Sequence, residues 1–191
     1  MLVTMGVKLN RYRHILGVTL IELLVSMSVL AILMSLAVPN FSTLIARQRL
    51  LTTVTEFYAA VNLTRSEAIK RGSQVSVAAN DGVSWKSGWT VFVDNNANGH
   101  ADAGEVVLFS HDALNDQFHV SHNFTDANQP YIAYTGNGRS RTNANSQQPQ
   151  AGTVSFSLGE NTKRVKVNFL GRAKMCSPER ELSCGDSQTG N

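Results

Sequence analysis

One stretch limits the folds open to this chain more than any other. From Ile15 to Val38 the sequence is an almost unbroken apolar run of 24 residues. A helix of about 20 apolar residues spans a bilayer core, so the run predicts a membrane helix. It is too long for the apolar core of an ordinary signal peptide. Lys8, Arg11, Arg13 and His14 precede it, and cations there favour a cytoplasmic N-terminus. Glu22 interrupts the run, and a carboxylate at membrane depth is costly without a partner. A free amino group fits, and a cut between Gly17 and Val18 would make one. If that amine belongs to a neighbouring subunit, the pairing would set the register of packed helices. The alternative is a Glu near the helix end that snorkels to the interface.

Beyond Pro39 the pattern becomes amphipathic. Leu50, Val54, Phe57, Val61 and Ala68 recur at spacings of three, four or seven, which predicts a helix from Phe41 to about Arg71 with one apolar stripe. Gly72 is a natural stop. Joined to the apolar run, this makes one long helix weakened at Pro39, where a helix hydrogen bond is lost. After Gly72 short strand-like runs follow: Val75–Val77, Trp89–Val93, Glu105–Phe109, Phe118–Val120, Tyr131–Tyr134, Thr153–Leu158 and Lys163–Phe169. Asn, Gly and Asp turns separate them. The polar stretch from Gly136 to Gly152 reads as a long exposed loop, and the tail after Ser183 as disordered. A helix followed by antiparallel strands predicts an α+β domain.

Charge adds little in total and more in its distribution. Removing Lys8, Arg11 and Arg13 takes Lys+Arg from 17 to 14, equal to the 14 Asp+Glu. From Asp81 to Asp116 there are six acids and one base, Lys86. From Asn137 to Lys174 there are seven bases and one acid, Glu160. Cys176 and Cys184 would clip a small terminal loop, which suits an exported protein in an oxidising compartment. Two free thiols in a cytosolic protein is the other reading.

The string Asp94-Asn95-Asn96-Ala97-Asn98-Gly99 with Asp102 and Glu105 matches the twelve-residue calcium loop pattern. Its ligands would be Asp94, Asn96, Asn98, the His100 carbonyl, Asp102 and Glu105. The flanks read as strands rather than helices, and Asn-Gly marks hairpin turns without metal. A metal-free acidic hairpin loop is therefore the expectation, with calcium as the alternative. Nucleophile elbow, phosphate loop and dinucleotide signatures do not occur. The histidines lack metal-ligand spacing, and the cysteines are too far apart for a redox pair. A non-enzymatic protein without a cofactor is expected.

Gly17-Val18-Thr19-Leu20-Ile21-Glu22-Leu23-Leu24-Val25 resembles the prepilin motif of type IV pilins and type II secretion pseudopilins. Val18 stands where that family usually has Phe. The resemblance implies cleavage after Gly17 by a prepilin peptidase, N-methylation at Val18, an assembly role for Glu22 and a helix kink at Pro39. A second resemblance is carried by Gly88-Trp89-Thr90-Val91-Phe92-Val93-Asp94, Asn98-Gly99, Gly104-Glu105-Val106-Val107-Leu108 and Val165-Lys166-Val167-Asn168-Phe169-Leu170-Gly171-Arg172. These resemble the GspH/FimT/FimU family of minor pilins and pseudopilins.

The implied organisation is a leader (1–17), a transmembrane half-helix (18–38), an amphipathic half-helix (39–72), a periplasmic β-rich domain (73–176) and a tail with a disulfide loop (177–191). Met1 or Met5 would start the leader without changing the motif. The implied setting is the bacterial inner membrane and then a filament. Implied partners are prepilin peptidase, other minor pilins or pseudopilins, the major pilin and an inner-membrane assembly platform. The filament is either a type IV pilus or a type II secretion pseudopilus, with the subunit expected at its tip.

Some FimT-like minor pilins bind DNA through a Gly-Arg-x-Arg motif near the C-terminus. Gly171-Arg172-Ala173-Lys174 resembles it, and Gly138-Arg139-Ser140-Arg141 matches the string. Arg164 and Lys166 share a strand face with Asn168, so Arg164, Lys166, Arg172 and Lys174 are the candidate DNA-binding residues. The other reading of these bases is a solvated face or a contact with an acidic neighbouring subunit. An uncleaved single-pass membrane protein is the remaining rival for the whole chain.

Overall fold

The computed structural model describes residues 17–127 and 129–185, and the backbone alone of residues 36–40. The expected leader therefore lies outside the described residues except for Gly17, and so does the tail from residue 186. The described chain forms two compact units that divide between Ser42 and Thr43.

One helix, α1, runs from Leu20 to Arg71 and carries the helical assignment through Pro39. Thr19 caps its start, accepting from the Glu22 amide on Oγ1 at 3.3 Å. In the first unit the α1 side chains from Leu20 to Ser35 are exposed. Among the described residues no helix is long and apolar enough to cross a membrane. The span expected at 18–38 extends over positions whose side chains lie outside them.

In the second unit α1 supplies the core stripe. Leu50, Val54, Phe57, Val61 and Ala68 are all buried, as the helical period requires. Lys70 and Arg71 both pair with Glu67 in the last turns. Gly72, at φ +65°, ends the helix, in the left-handed conformation that glycine adopts without strain.

Nine strands follow: β1 (Val75–Ala79), β2 (Trp89–Val93), β3 (Val107–His111), β4 (Phe118–Phe124), β5 (Tyr131–Tyr134), β6 (Ser140–Arg141), β7 (Gly152–Leu158), β8 (Asn161–Val167) and β9 (Ala173–Cys176). They make two antiparallel sheets, which together with α1 give the expected α+β domain. The first has the order β3-β2-β1-β5-β6 and the second β4-β7-β8-β9. Both turn apolar side chains into one core with the α1 stripe. Phe57 sits at its centre, edge-on to Trp85 and Trp89 at 4.9 and 5.2 Å and tilted against Phe156. A smaller cluster of Ala78, Phe92, Tyr131 and Ala133 forms separately from this core.

Several expected boundaries move. The third strand is Val107–His111 rather than Glu105–Phe109, because a register shift between Val91 and Phe92 displaces the pairing. β4 extends to Phe124, and β8 begins at Asn161. The stretch from Gly136 to Gly152 is not a wholly exposed loop. It contains β6, and Ser140, Thr142 and Gln150 are buried. Gln150 accepts from the Asp126 amide and donates to the Tyr131 carbonyl, which satisfies most of its polar groups in the interior. The tail does not lose order at Ser183 either: Cys184 is buried and lies in a short 3-10 turn, Leu182–Cys184.

Candidate functional site

The N-terminal motif occupies the start of α1. Gly17, Val18 and Thr19 precede the helix in a non-helical stretch, so the bond between Gly17 and Val18 is free of helix hydrogen bonding. Val18 is exposed. A Cβ added at Gly17 would meet nothing within 4 Å. Among the described residues nothing limits the size of the side chain at this position. The spacing Thr19-x-x-Glu22 is that of a capping box, a signal in the sequence that goes unused when Glu22 is read for assembly alone.

The candidate DNA-binding residues separate into two groups. Arg164 and Lys166 face the segment after β9. The Cys176–Cys184 disulfide is formed, and the loop it closes lies over β8. Arg164 donates to the Cys184 carbonyl at 2.6 Å and to Ser155 Oγ at 3.1 Å. Lys166, only 7% exposed, donates to the carbonyls of Ser183 and Gly185 at 3.2 and 3.1 Å. These two cations hold down the C-terminal loop. Lys174 pairs with Glu181 of the same loop at 2.7 Å.

Arg172 belongs to the second group. Gly171, at φ +73°, turns the chain between β8 and β9. A Cβ there would meet the Ser140 amide nitrogen at 2.9 Å and the Gly138 carbonyl at 3.1 Å. Its carbonyl accepts from Arg65 Nη1 at 3.0 Å and from the Tyr134 hydroxyl at 2.9 Å. Burial pushes the Tyr134 hydroxyl well above its ordinary pKa, so it stays a donor. The close packing brings Gly138-Arg139-Ser140-Arg141 beside Gly171-Arg172. Arg139 and Arg172 are exposed and Arg141 is partly so. Among the described residues no carboxylate lies within ion-pair distance of any of the three.

The loop after β2 is closed by its own hydrogen bonds. Asp94 is 2% exposed and accepts from Ser76 Oγ, Gln74 Nε2 and the amides of Asn98 and Gly99. Glu105 accepts from the amides of Asn95 and Asp102. Asp102 accepts from the side-chain amides of Asn96 and Asn98, which lower its pKa. The carboxylates take protein donors, and the two Asn side chains turn their donors inward. No group of three or more His, Cys, Asp or Glu side chains suited to a metal occurs among the described residues.

Residues 53–171 match the family described as Type II transport protein GspH, and residues 12–38 match the prokaryotic N-terminal methylation motif. The chain belongs to the GspH family. No curated protein matches it. Among solved structures it is similar to the type IV minor pilin FimU of Pseudomonas aeruginosa strain PAO1. One crystal form gives a TM-score of 0.55 at 17% identity, covering 70% of this chain and 92% of FimU. A second form gives 0.53 at 16%, covering 68% and 94%. The minor pseudopilin EpsH from the Type 2 Secretion System of Vibrio cholerae aligns at a TM-score of 0.49 and 16% identity, covering 68% of this chain and 97% of EpsH. At these identities the FimU likeness speaks for the fold: a GspH-family α+β domain with an N-terminal helix on antiparallel sheets.

Proposed function

We propose that the chain is a non-enzymatic pilin-like subunit, cut between Gly17 and Val18 and assembled into a filament through α1. The observation that carries this reading is the N-terminal methylation motif at 12–38, set where the helix begins. The Gly17–Val18 bond lies outside the helix, Thr19 caps the first turn, and Glu22 follows within it. In this reading prepilin peptidase removes the leader and Val18 is methylated. The apolar half of α1 holds the subunit in the inner membrane with its strands on the periplasmic side. Glu22 then pairs with an N-terminal amine during assembly with other minor pilins, the major pilin and the assembly platform. A place at the filament tip belongs to the same reading.

The test is N-terminal peptide and intact-mass analysis of the protein from membranes, with and without prepilin peptidase. The expected mature chain starts at Val18 and carries a methyl group. A start at Met1 or Met5 in both strains overturns the reading in favour of an uncleaved single-pass protein.

A second reading, DNA capture during uptake, is favoured by one observation: Gly171 seats Arg172 beside Arg139 and Arg141. Phosphate neutralisation needs clustered, uncompensated cations of this kind. Substituting Arg172 and Lys174 by Gln is expected to abolish transformation while piliation persists. Unchanged transformation overturns it.

A further inference from the structure

A cavity of about 320 Å³ lies in the second unit between α1, the start of β8 and the loop closed by the Cys176–Cys184 disulfide. Arg47 of α1, Lys163 of β8 and Arg180 of the loop line it, and Glu179 is the one acid in the lining. Leu44 and Leu51, both exposed, form its apolar wall beside the buried Leu50. The volume is at the lower end of the range for small-molecule sites.

Hydrogen bonds fix this lining without neutralising it. Glu179 Oε1 accepts from the Thr162 amide at 3.1 Å, which ties the loop to β8. Lys163 donates to Ser177 Oγ at 2.9 Å, and Arg47 Nε donates to Asn161 Oδ1 at 3.1 Å. Both acceptors are uncharged. Among the described residues no carboxylate, Glu179 included, lies within ion-pair distance of Arg47, Lys163 or Arg180. Three cations and one carboxylate leave the lining at a formal +2. An anion entering the cavity relieves the repulsion among them. Guanidinium groups offer paired N–H donors that match phosphate oxygens, and a lysine adds a point charge.

From this lining we infer that the cavity takes the phosphate of an anionic phospholipid while the subunit is held in the membrane. The inference rests on the inner-membrane part of the proposed function and adds a ligand to it. Two observations select a lipid over a free anion. The leucine wall covers glycerol and the first acyl carbons, apolar surface that inorganic phosphate lacks. Leu44 also follows Val38, the last residue of the expected membrane half-helix, by only six residues. Even a fully extended chain keeps the two within about 20 Å. Basic pockets beside membrane segments suit lipid headgroups for the same reasons. A zwitterionic headgroup brings its own cation to a lining already positive, so phosphoglycerol is favoured over phosphocholine.

The test is native mass spectrometry of the full-length chain in detergent, titrated with phosphatidylglycerol or phosphatidylcholine. The expected result is tighter binding of phosphatidylglycerol. Arg47→Gln, Lys163→Gln and Arg180→Gln together weaken it by roughly tenfold, the effect of about 1.4 kcal/mol, whereas Glu179→Gln strengthens it. Leu44→Ser with Leu51→Ser weakens it while every cation is kept. Arg139→Gln with Arg172→Gln leaves it unchanged, because those cations lie outside the cavity. Equal binding of the two lipids overturns the inference. So does an equal loss in the Arg139 and Arg172 variant, which would make the preference a matter of overall charge. Displacement of the lipid by inorganic phosphate at matching concentration assigns the cavity to a free anion and overturns the lipid as its ligand. N-terminal mass of the same sample reads the proposed function separately. No lipid preference on a chain starting at Val18 overturns the site and leaves the proposed function standing. A preference on an uncut chain keeps the site and counts against the cleavage.

Discussion

Gly171→Ala tests whether the two arginine loops are held together by backbone contact. Three costs combine at this position. The residue sits at φ +73°, where an L side chain costs about 1–2 kcal/mol. Stiffening of the unfolded chain returns about 0.4–1 kcal/mol of that. The new methyl would also overlap the Ser140 nitrogen at 2.9 Å and the Tyr134 ring at 2.9 Å. Overpacking of this kind costs about 1–3 kcal/mol. The shift needed to relieve it weakens the bonds from Arg65 and Tyr134 to the Gly171 carbonyl, each contributing about 1 kcal/mol. The sum is about 4 kcal/mol, or roughly 8–16 °C in Tm for a domain of this size.

Gly159→Ala is the control, since Gly159 also has a positive φ, +59°, and a Cβ there would meet nothing within 4 Å. It keeps the conformational cost alone, about 1 kcal/mol and roughly 2–4 °C. Thermal unfolding followed by near-ultraviolet circular dichroism of the full chain in detergent reads both. Equal losses for the two variants would refute the argument, because they would show that the packing of Gly171 on Ser140 contributes nothing.

Other outcomes follow from the same contacts. Phe57→Ala empties the space between Trp85, Trp89 and Phe156 and is expected to cost about 3–5 kcal/mol, read by denaturant titration with a red shift of Trp emission. Cys176→Ser with Cys184→Ser opens a loop of sequence separation 8 and is expected to lose about 2.5 kcal/mol; the same titration checks it, and an unchanged midpoint would count against the clamped loop. Burial lowers the pKa of His122 below the ordinary imidazole value of about 6.5. The native state then resists protonation relative to the unfolded state, so stability is full above about pH 6.5 and declines as pH falls below it. His122→Gln is expected to flatten that decline in Tm measured between roughly pH 5 and 7.

The helix stripe could be read directly because a single period fixes which residues meet the core. Strands β1, β2 and β5 could be read because Val, Ile and aromatic residues dominate them. β6 and β9 could not: Ser140–Arg141 and Ala173–Cys176 are short and carry no apolar alternation, although each pairs with the strand just before it. The division into two sheets was equally hidden, since β1 pairs with β5 and β4 with β7, and no local pattern specifies such pairings. At the site, the shared face of Arg164 and Lys166 was legible from strand alternation. Their capture by the carbonyls of Ser183, Cys184 and Gly185 was not, because it depends on where the disulfide folds the chain back. The adjacency of the two arginine strings likewise depends on one glycine carrying the backbone past another loop.

The cap on α1 has a consequence for a chain cut after Gly17. The new amine would lie one residue before Thr19, at the end of a helix where unpaired N–H groups already concentrate positive potential equivalent to about half an elementary charge. An ammonium group there adds like charge to like, and methylation leaves that charge in place. Glu22, in the first turn, is the anion nearest in sequence and offsets both. A carboxylate spent on its own helix is less available to another subunit, so transferring it across an interface would leave one helix start short of its counter-ion until the neighbouring Glu22 arrives. Under the proposed assembly, one compensating anion would be exchanged for another, and each incoming subunit would complete the electrostatics of the one before it.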